Sequence, residues 1–334
     1  MGYGKVYIKE KFVHKVIRHL KNDFNALFEF SQNKNEFGSE TAKVILKRKF
    51  NCIDTEKYIN YMSKYMDDEL KSITKKYIDG DYVSYKNNDR FNKYPIWICW
   101  LQGEENIPEP CKTCVDNIRK KLPEDAELIF ITYENYLSYV DIPQDIVEKH
   151  NKGFISPTNY TDIIRHGLLS KYGGAWIDSG IFLTGDIFDK AITYDIFTPK
   201  FKTDKLEDAS RGKWVNGIWF SNEGNIIFNY VYDSLIYFWR NHNRAVEYLA
   251  ADYILWTAYT NLNDAKKLID SIPYNNQNIR LLNNHLYDVY DSNLYEEIVT
   301  INQIHVINRH QEYPTVDENN AETFYGCLIS GKLE

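Results

Sequence analysis

The sequence predicts a mixed α/β protein with a mostly parallel sheet, preceded by a helical N-terminal segment. Apolar runs at 96–101 and 127–132 are typical of buried strands, and helical patterns follow them at about 109–122 and 143–151. Strands that alternate with helices usually form a parallel sheet with both faces covered. Hydrophobic residues make up 43% of the chain and charged residues 26%, as in globular proteins with a sizeable core.

The N-terminal part differs in character from the rest of the chain. Residues 1–92 are predicted to form a charged helical extension, and residues 93–334 the main domain. Over 5–21, apolar residues recur at helical spacing among many lysines and arginines. Such a basic amphipathic segment suits an anionic membrane surface or a protein partner, and it equally fits the solvated face of a packed helix. A second helical stretch covers 55–78 and is broken at Gly80.

The best-marked element is a helix over 157–172, which Ser156 is expected to cap and Gly173 to end. Residues 175–183 then form a predicted strand with a polar interruption at 178–180, which begins at Asp178. Further along the chain, the pattern predicts a strand, two helices and a strand, at 214–220, 225–241, 250–260 and 298–307.

Charge and cysteine content narrow the class of protein. The formal net charge is −7. General nucleic-acid binding requires a basic face, so we do not expect a nucleic acid among the partners of this protein. Five cysteines, an odd number, favour reduced thiols and a cytoplasmic location. Cys111 and Cys114 share a predicted helix without a second ligand pair at zinc spacing, which favours structural cysteines. With no visible secretory signal and no apolar run of about 20 residues, we expect at most peripheral contact with the inner membrane face.

Three polar residues form the main candidate site. Asp162 and Arg165 are three residues apart on the predicted helix and therefore share a face. Asp178 lies within an apolar strand, where a carboxylate is costly to bury unless it binds a metal, a donor or a cation. Carboxylate and guanidinium groups suit sugar hydroxyls, and a divalent metal would neutralise a sugar diphosphate. The alternatives are a surface ion pair worth under about 1 kcal/mol and a carboxylate that caps a turn.

The stretch from Ser156 to Asp178 carries Asp-x-x-Arg, then Tyr-Gly-Gly, an apolar pair and an acid. In this it resembles the capsular polysaccharide synthesis glycosyltransferases. These are similar to the wider set of DXD-motif sugar transferases, which includes the clostridial glucosylating toxins and yeast mannosyltransferases. The run that begins at Tyr94 also resembles their first nucleotide-binding strand. The resemblance is strong over about 94–190 and loose over about 210–310, and it does not reach the segment before Tyr94.

The resemblance implies a GT-A fold, which is Rossmann-like, and transfer of a sugar from a nucleotide-diphosphate donor to a glycan hydroxyl. The glycan, free or lipid-linked, would belong to a capsule or surface polysaccharide, and the anomeric configuration would be retained. Asp162 and Arg165 would then hold the donor sugar, and Asp178 would lie near the diphosphate. The nucleobase would border the end of the first strand, at Trp97, Trp100 and Gln102.

A divalent metal, Mn²⁺ or Mg²⁺, is also implied, with Asp178 as one ligand. Gly180 stands where the DXD motif has its second acid, so a non-catalytic nucleotide-sugar or carbohydrate-binding protein is the alternative function. His305, in a segment that loosely resembles the family's late histidine segment, is either a second metal ligand or a buried structural histidine. Asn216 and Asp252 resemble positions of the family near the acceptor, which implies that either could contact the acceptor hydroxyl, although Asp252 alternatively fits a helix N-cap.

Overall fold

A computed structural model describes residues 26–85, 90–203 and 206–333, so the predicted basic helix at 5–21 lies outside the described residues. The helices are 26–37 (α1), Ser39–Lys49 (α2), Thr55–Glu69 (α3), Lys71–Asp79 (α4), Cys111–Lys120 (α5), Gln144–Asn151 (α6), Pro157–Tyr172 (α7), Phe188–Ala191 (α8), Ile226–Asn241 (α9), Ala250–Asn261 (α10), Asn263–Ser271 (α11), Leu281–Asn284 (α12), Ser292–Ile301 (α13) and Phe324–Ile329 (α14). The strands are Tyr94–Cys99 (β1), Ala126–Ile131 (β2), Gly174–Ile177 (β3), Ile181–Leu183 (β4), Ile196–Phe197 (β5), Ile218–Ser221 (β6) and Ile304–Val306 (β7). Of the helices in these residues, none has the length and apolar character needed to cross a membrane.

A five-stranded sheet in the order β2-β1-β3-β6-β5 forms the centre of the molecule. Strand β1 runs parallel to both β2 and β3, whereas β6 is antiparallel to β3 and to β5. Strands β4 and β7 form a separate antiparallel pair. The mixed α/β, Rossmann-like fold class predicted from the sequence is thereby confirmed.

Three tryptophans stand side by side on one face of the sheet. Trp97 is opposite Trp176 in the register of β1 and β3, and Trp176 is opposite Trp219 in that of β3 and β6. All three are fully buried under the layer that contains α7 and α9. Because successive strand residues alternate between faces, the isoleucines of β1 point the other way, toward α5. Cys111 and Cys114 are buried free thiols in α5, in agreement with a structural role.

Helix α7 begins and ends where the sequence predicts. The hydroxyl of Ser156 accepts a hydrogen bond from the backbone N–H of Asn159 at 3.2 Å. Gly173 follows the helix with φ of 64°, and a Cβ there would lie 2.5 Å from backbone atoms near Ser221. Only glycine fits this turn without displacing the backbone. The polar interruption predicted at 178–180 falls where the chain turns between β3 and β4, and β4 then pairs with β7 instead of continuing in the main sheet.

The strand predicted at 298–307 is wrong over most of its length. The side chain of Asp291 accepts hydrogen bonds from the backbone N–H groups of Asn293 and Leu294, at 2.8 and 3.0 Å. This N-cap starts helix α13, which continues to Ile301, so only the three residues of β7 remain extended.

The N-terminal helices share a hydrophobic core with the C-terminal half of the chain. The predicted helical stretch at 55–78 is confirmed as α3 and α4, which pack against α10 and α9. The hydroxyls of Tyr77 and Tyr85 both donate to the carboxylate of Asp233 on α9, each at 2.8 Å. Thr74 and Tyr230 form a buried hydroxyl pair at 2.8 Å. The domain boundary predicted near residue 92 stays a prediction.

Candidate active site

A cleft of about 550 Å³ opens at the edge of the sheet where β1 and β3 end. Its walls come from the residues after β1, the N-terminal half of α7, the turn after β3, the approach to β6, the start of α10 and the segments at 279–280 and 306–310. The carboxyl ends of parallel strands are the usual place for ligands in open α/β sheets. Strand β6 runs antiparallel to β3 and therefore begins at this same edge. Just before β6, the carbonyl of Gly217 accepts a hydrogen bond from the backbone N–H of Asp178 at 2.8 Å.

The structure brings together Asp162, Arg165 and Asp178, the three residues of the main candidate site. One guanidinium nitrogen of Arg165 (Nη1) donates to Oδ1 of Asp162 at 3.0 Å, and the other (Nη2) donates to Oδ1 of Asp178 at 2.9 Å. Asp162 and Arg165 are each only 7% exposed, so the alternative of a surface ion pair is wrong. All three side chains line the cleft. The guanidinium is therefore fixed between two carboxylates at the cleft wall.

The carboxylate of Asp178 is held from behind and open in front. Its Oδ1 also accepts a hydrogen bond from Nε1 of Trp176 at 2.7 Å, and the guanidinium of Arg165 lies 5.0 Å from the centre of the Trp176 ring. The side chain thus bonds to a cation and an indole instead of capping the turn. Its side chain is 42% exposed, and Oδ2 has no hydrogen-bond partner among the described residues. This oxygen is available to a ligand in the cleft.

Two carboxyl groups of the cleft have raised pKa values. Burial raises the pKa of Asp162 to about 6, although the positive charge of Arg165 opposes the shift. Burial also raises the pKa of Asp252 to about 7, against the hydrogen bond that it accepts from Nε1 of Trp214 at 2.8 Å. The cause is the same in both, because a carboxylate loses the solvation of water when it is enclosed.

The structure places Asp252 and Asn216 in the wall of the cleft. The N-cap alternative for Asp252 is wrong, because Leu249 is the capping residue of α10 and the carboxyl group of Asp252 bonds to Trp214 instead. The side-chain oxygen of Asn216 accepts a hydrogen bond from Nε1 of Trp219 at 3.3 Å.

Of the three residues predicted beside a nucleobase, Trp100 and Gln102 line the cleft, whereas Trp97 does not. The prediction for Trp97 is wrong. Its ring is fully buried under α7 and packs against Tyr172, and its Nε1 donates to the carbonyl of Gly173 at 2.8 Å. The side-chain alternation within β1 directs this residue into the core, while the residues after the strand reach the cleft.

The metal-ligand prediction for His305 is wrong. Its ring is fully buried in β7, opposite Phe182 of β4, and its Nε2 lies 3.0 Å from the hydroxyl of Thr184. Burial lowers its pKa to about 4, and the residue does not line the cleft, although its neighbour Val306 does. The alternative of a buried structural histidine describes the observed environment.

The side chains available as metal ligands decide whether a divalent metal fits the cleft. No group of three or more His, Cys, Asp or Glu side chains is arranged to hold a metal anywhere in the described residues. Asp178 offers one free carboxylate oxygen, and Gly180 offers no side chain. Since Mg²⁺-type ions commonly use one or two protein carboxylates together with phosphate oxygens and water, these residues fit an ion that a diphosphate helps to hold.

Three residues at or behind the cleft escape prediction from the sequence. Trp176 is buried behind the cleft wall and supports Asp178 from there, and the period of two in a strand could have shown that both lie on one face. Arg280 and Arg309 line the cleft itself, and the guanidinium of Arg309 lies 5.0 Å from the centre of the Trp100 ring. Both arginines lie in connecting segments far along the chain, and no sequence motif marks them.

The fold and the cleft define an α/β protein of Rossmann-like type with a polar site at the carboxyl edge of its sheet. The sequence model of the family described as capsular polysaccharide synthesis protein matches residues 43–328, and the chain belongs to this family. Membership indicates a role in capsule synthesis. The match includes α3 and α4, so it extends to the N-terminal side of the resemblance seen in the sequence. No match was found among curated proteins or among solved structures.

Proposed function

We propose that this protein is a glycosyltransferase of the GT-A type, which moves a sugar from a nucleotide-diphosphate donor to a glycan hydroxyl in capsule or surface polysaccharide synthesis. The observation that carries the proposal is the network of Asp162, Arg165 and Asp178 in the wall of the cleft. Membership of the capsular polysaccharide synthesis family supports the biological setting. The acceptor would be a glycan, free or attached to a lipid.

The network suits the donor sugar. Because Arg165 is held on two sides, it loses little freedom when it binds a ligand, and it keeps the carboxylates in fixed positions. The free Oδ2 of Asp178 can accept a hydrogen bond from a sugar hydroxyl. Asp162 lies behind the guanidinium with 10% of its side chain exposed. We assign to Asp162 and Arg165 the orientation of the sugar in the cleft.

The nucleotide would occupy the side of the cleft formed by Trp100 and Gln102. An indole ring at the cleft edge offers a face for a nucleobase. When bound, a Mn²⁺ or Mg²⁺ ion would be held by Asp178 and would supply positive charge to the diphosphate.

We propose that the transfer retains the anomeric configuration. The bond between the anomeric carbon and the diphosphate oxygen breaks, the acceptor oxygen bonds to the same face, and the acceptor proton passes to the departing diphosphate. The carboxyl group of Asp252 lies on the α10 side of the cleft and can hydrogen-bond to the acceptor hydroxyl. Analysis of the product anomer by NMR tests this stereochemistry, and an inverted product would contradict it.

A screen of nucleotide sugars tests the enzymatic function. A donor that binds only the folded chain raises its melting temperature, and the same donor should be hydrolysed or transferred in the presence of Mn²⁺. Failure of every nucleotide sugar to stabilise the chain would contradict the proposal. Stabilisation without turnover under any metal would instead favour a non-catalytic binding protein. The reason for considering this alternative is that Gly180 replaces the second acid of the DXD motif.

We further propose that the enzyme acts in the cytoplasm and contacts the inner face of the membrane through residues 5–21. Deleting these residues should shift the protein from the membrane fraction to the supernatant without changing turnover on a soluble acceptor. An unchanged distribution would contradict the membrane contact.

A further inference from the structure

We propose that Arg280 and Arg309 bind the diphosphate of the nucleotide-sugar donor, so that the nucleotide binds even when no divalent metal accompanies it. This inference rests on the proposed function and assigns the donor diphosphate to two residues that line the same cleft as the acids.

The charges of the cleft call for such a cationic group. Its described lining includes four aspartates, at 162, 178, 208 and 252. The charge of Arg165 is already offset by two of them, since it forms ion pairs with Asp162 and Asp178. A diphosphate placed beside these carboxylates would be repelled unless further positive charge lies within a few ångströms.

Arg280 and Arg309 meet this requirement because both line the cleft and both are exposed to it. Within the described parts of the chain, neither guanidinium has an ion-pair or hydrogen-bond partner. Arg309 is positioned by its contact with the Trp100 ring at 5.0 Å, beside the end of β1. Its hydrogen-bond donors remain free, and a guanidinium can offer two parallel N–H groups to phosphate oxygens.

Backbone hydrogen bonds link the segments that carry the two arginines to each other, and link the segment of Arg309 to the turn after β3. The residue that precedes Arg280 accepts a hydrogen bond from the backbone N–H of Val306 at 2.8 Å. Ile307, two residues before Arg309, donates its N–H to the carbonyl of Gly180 at 2.8 Å. The segments that carry the arginines thus lie beside each other, and one of them is bonded directly to the turn that presents Asp178.

The closeness of the Ile307 backbone also explains why a glycine occupies position 180 in this turn. A Cβ on Gly180 would lie 3.0 Å from the carbonyl oxygen of Ile307, at the limit of ordinary contacts. A bulkier residue would push against the segment that carries Arg309. Where the DXD motif has its second acid, this chain has Gly180 packed closely against the backbone of Ile307. The segment that contains Ile307 also carries Arg309, which brings a positive charge to the cleft.

Nucleotide affinity, measured by calorimetry on the full chain, tests the inference. The probes are UDP, GDP, ADP and dTDP, each with EDTA and with Mn²⁺. We expect at least one to bind in EDTA, with affinity within about tenfold of that in Mn²⁺. Arg280→Met and Arg309→Met should each weaken this binding by at least about tenfold, the loss expected for a charge-assisted hydrogen bond. Arg309→Lys, which keeps the charge, should restore part of the affinity.

Arg240→Met serves as the matched control, because Arg240 is an exposed arginine of α9 that pairs with Asp145 outside the cleft. It should leave the affinity unchanged. Loss of binding by the wild type in EDTA, or wild-type affinity in both cleft variants, would overturn the inference and leave the proposed donor site intact. Absence of binding by all four nucleotides, with and without Mn²⁺, would overturn the proposed function as well.

Discussion

The carboxylate of Asp178 rests against the backbone of Gly217, where a Cβ atom would lie 2.7 Å from Oδ2. The carbonyl of Gly217 also accepts the backbone N–H of Asp178 at 2.8 Å. The absence of a side chain at position 217 therefore sets how far the free carboxylate oxygen can retreat from the cleft. Gly217 is therefore a positioning residue for Asp178.

Gly217→Ala should lower turnover by about tenfold or more with a change in unfolding free energy below about 1 kcal/mol. The added methyl group would displace a carboxylate at the end of a flexible side chain, which costs little stability but moves a group that contacts substrate. Donor hydrolysis and thermal melting measure the two effects. Gly185→Ala is the control, because its Cβ would lie 2.6 Å from the side chain of Gln303, outside the cleft. Equal turnover in the two variants would contradict the positioning role.

Asp178→Asn should lower turnover by at least about 100-fold, because it removes the charge that faces the substrate while keeping the shape of the side chain. The side chain is 42% exposed, so the unfolding free energy should change by no more than about 1 kcal/mol. Steady-state kinetics on the folded variant give the result. Asp264→Asn, in an exposed ion pair with Lys267, is the matched control. A near-normal rate for Asp178→Asn would show that Asp178 is not part of the active site.

Arg165→Met should lower both turnover and stability. Without the guanidinium, the carboxyl group of Asp162 is left buried without a cation, which typically costs about 3–5 kcal/mol. Urea unfolding measures the loss. Adding Asp162→Asn should recover part of the stability, because it removes the unpaired buried charge. It should recover none of the turnover, because the guanidinium that Arg165 supplied is still absent. A single variant as stable as the wild type would show that the buried pair is not coupled in this way.

Asp252→Asn should stabilise the protein, and the gain should grow with pH. The folded pKa of Asp252 is about 7, against 3.8 for an ordinary aspartate, so the folded state holds this proton more tightly. The contribution of Asp252 to the unfolding free energy therefore falls as pH rises from about 4 to about 7, and then levels. The neutral amide avoids this loss. The difference between the variants should approach an upper limit of about 4 kcal/mol near pH 8.

Urea unfolding at pH 5, 6, 7 and 8 checks this pH dependence, with wild type and variant measured side by side so that other titrating groups cancel. The amide oxygen of the variant can still accept the N–H of Trp214, which makes the substitution conservative. Parallel stability profiles would mean that Asp252 is ionised in the folded protein at all four pH values.

The sequence predicts α7 and β3 well because their signals are local. A serine cap at 156, a proline in the first turn and glycines with positive φ act within a few residues of the bonds that they satisfy. The same spacing arguments bring Asp162, Arg165 and Asp178 to one place. These parts of the site depend on one helix, one turn and one strand that are consecutive in the chain.

The errors arise where distant parts of the chain decide the outcome. Whether Trp97 faces the core or the cleft depends on which face of the sheet α7 covers. His305 belongs to a strand whose partner, β4, lies more than a hundred residues earlier. Arg280 and Arg309 reach the cleft through backbone bonds to β7 and to the turn after β3. Periodicity within a segment carries no information about such pairings.

The packing of the N-terminal helices bears on any attempt to trim the chain. Helices α3 and α4 insert Met62, Met66 and Tyr77 into the core, and α4 binds Tyr230 and Asp233 on α9. A fragment that starts at residue 93 would expose aromatic rings of α9 to water and leave a carboxylate without its two tyrosine donors. We expect such a fragment to aggregate on expression, whereas one that starts ahead of α2 should stay dispersed, as size-exclusion chromatography can show.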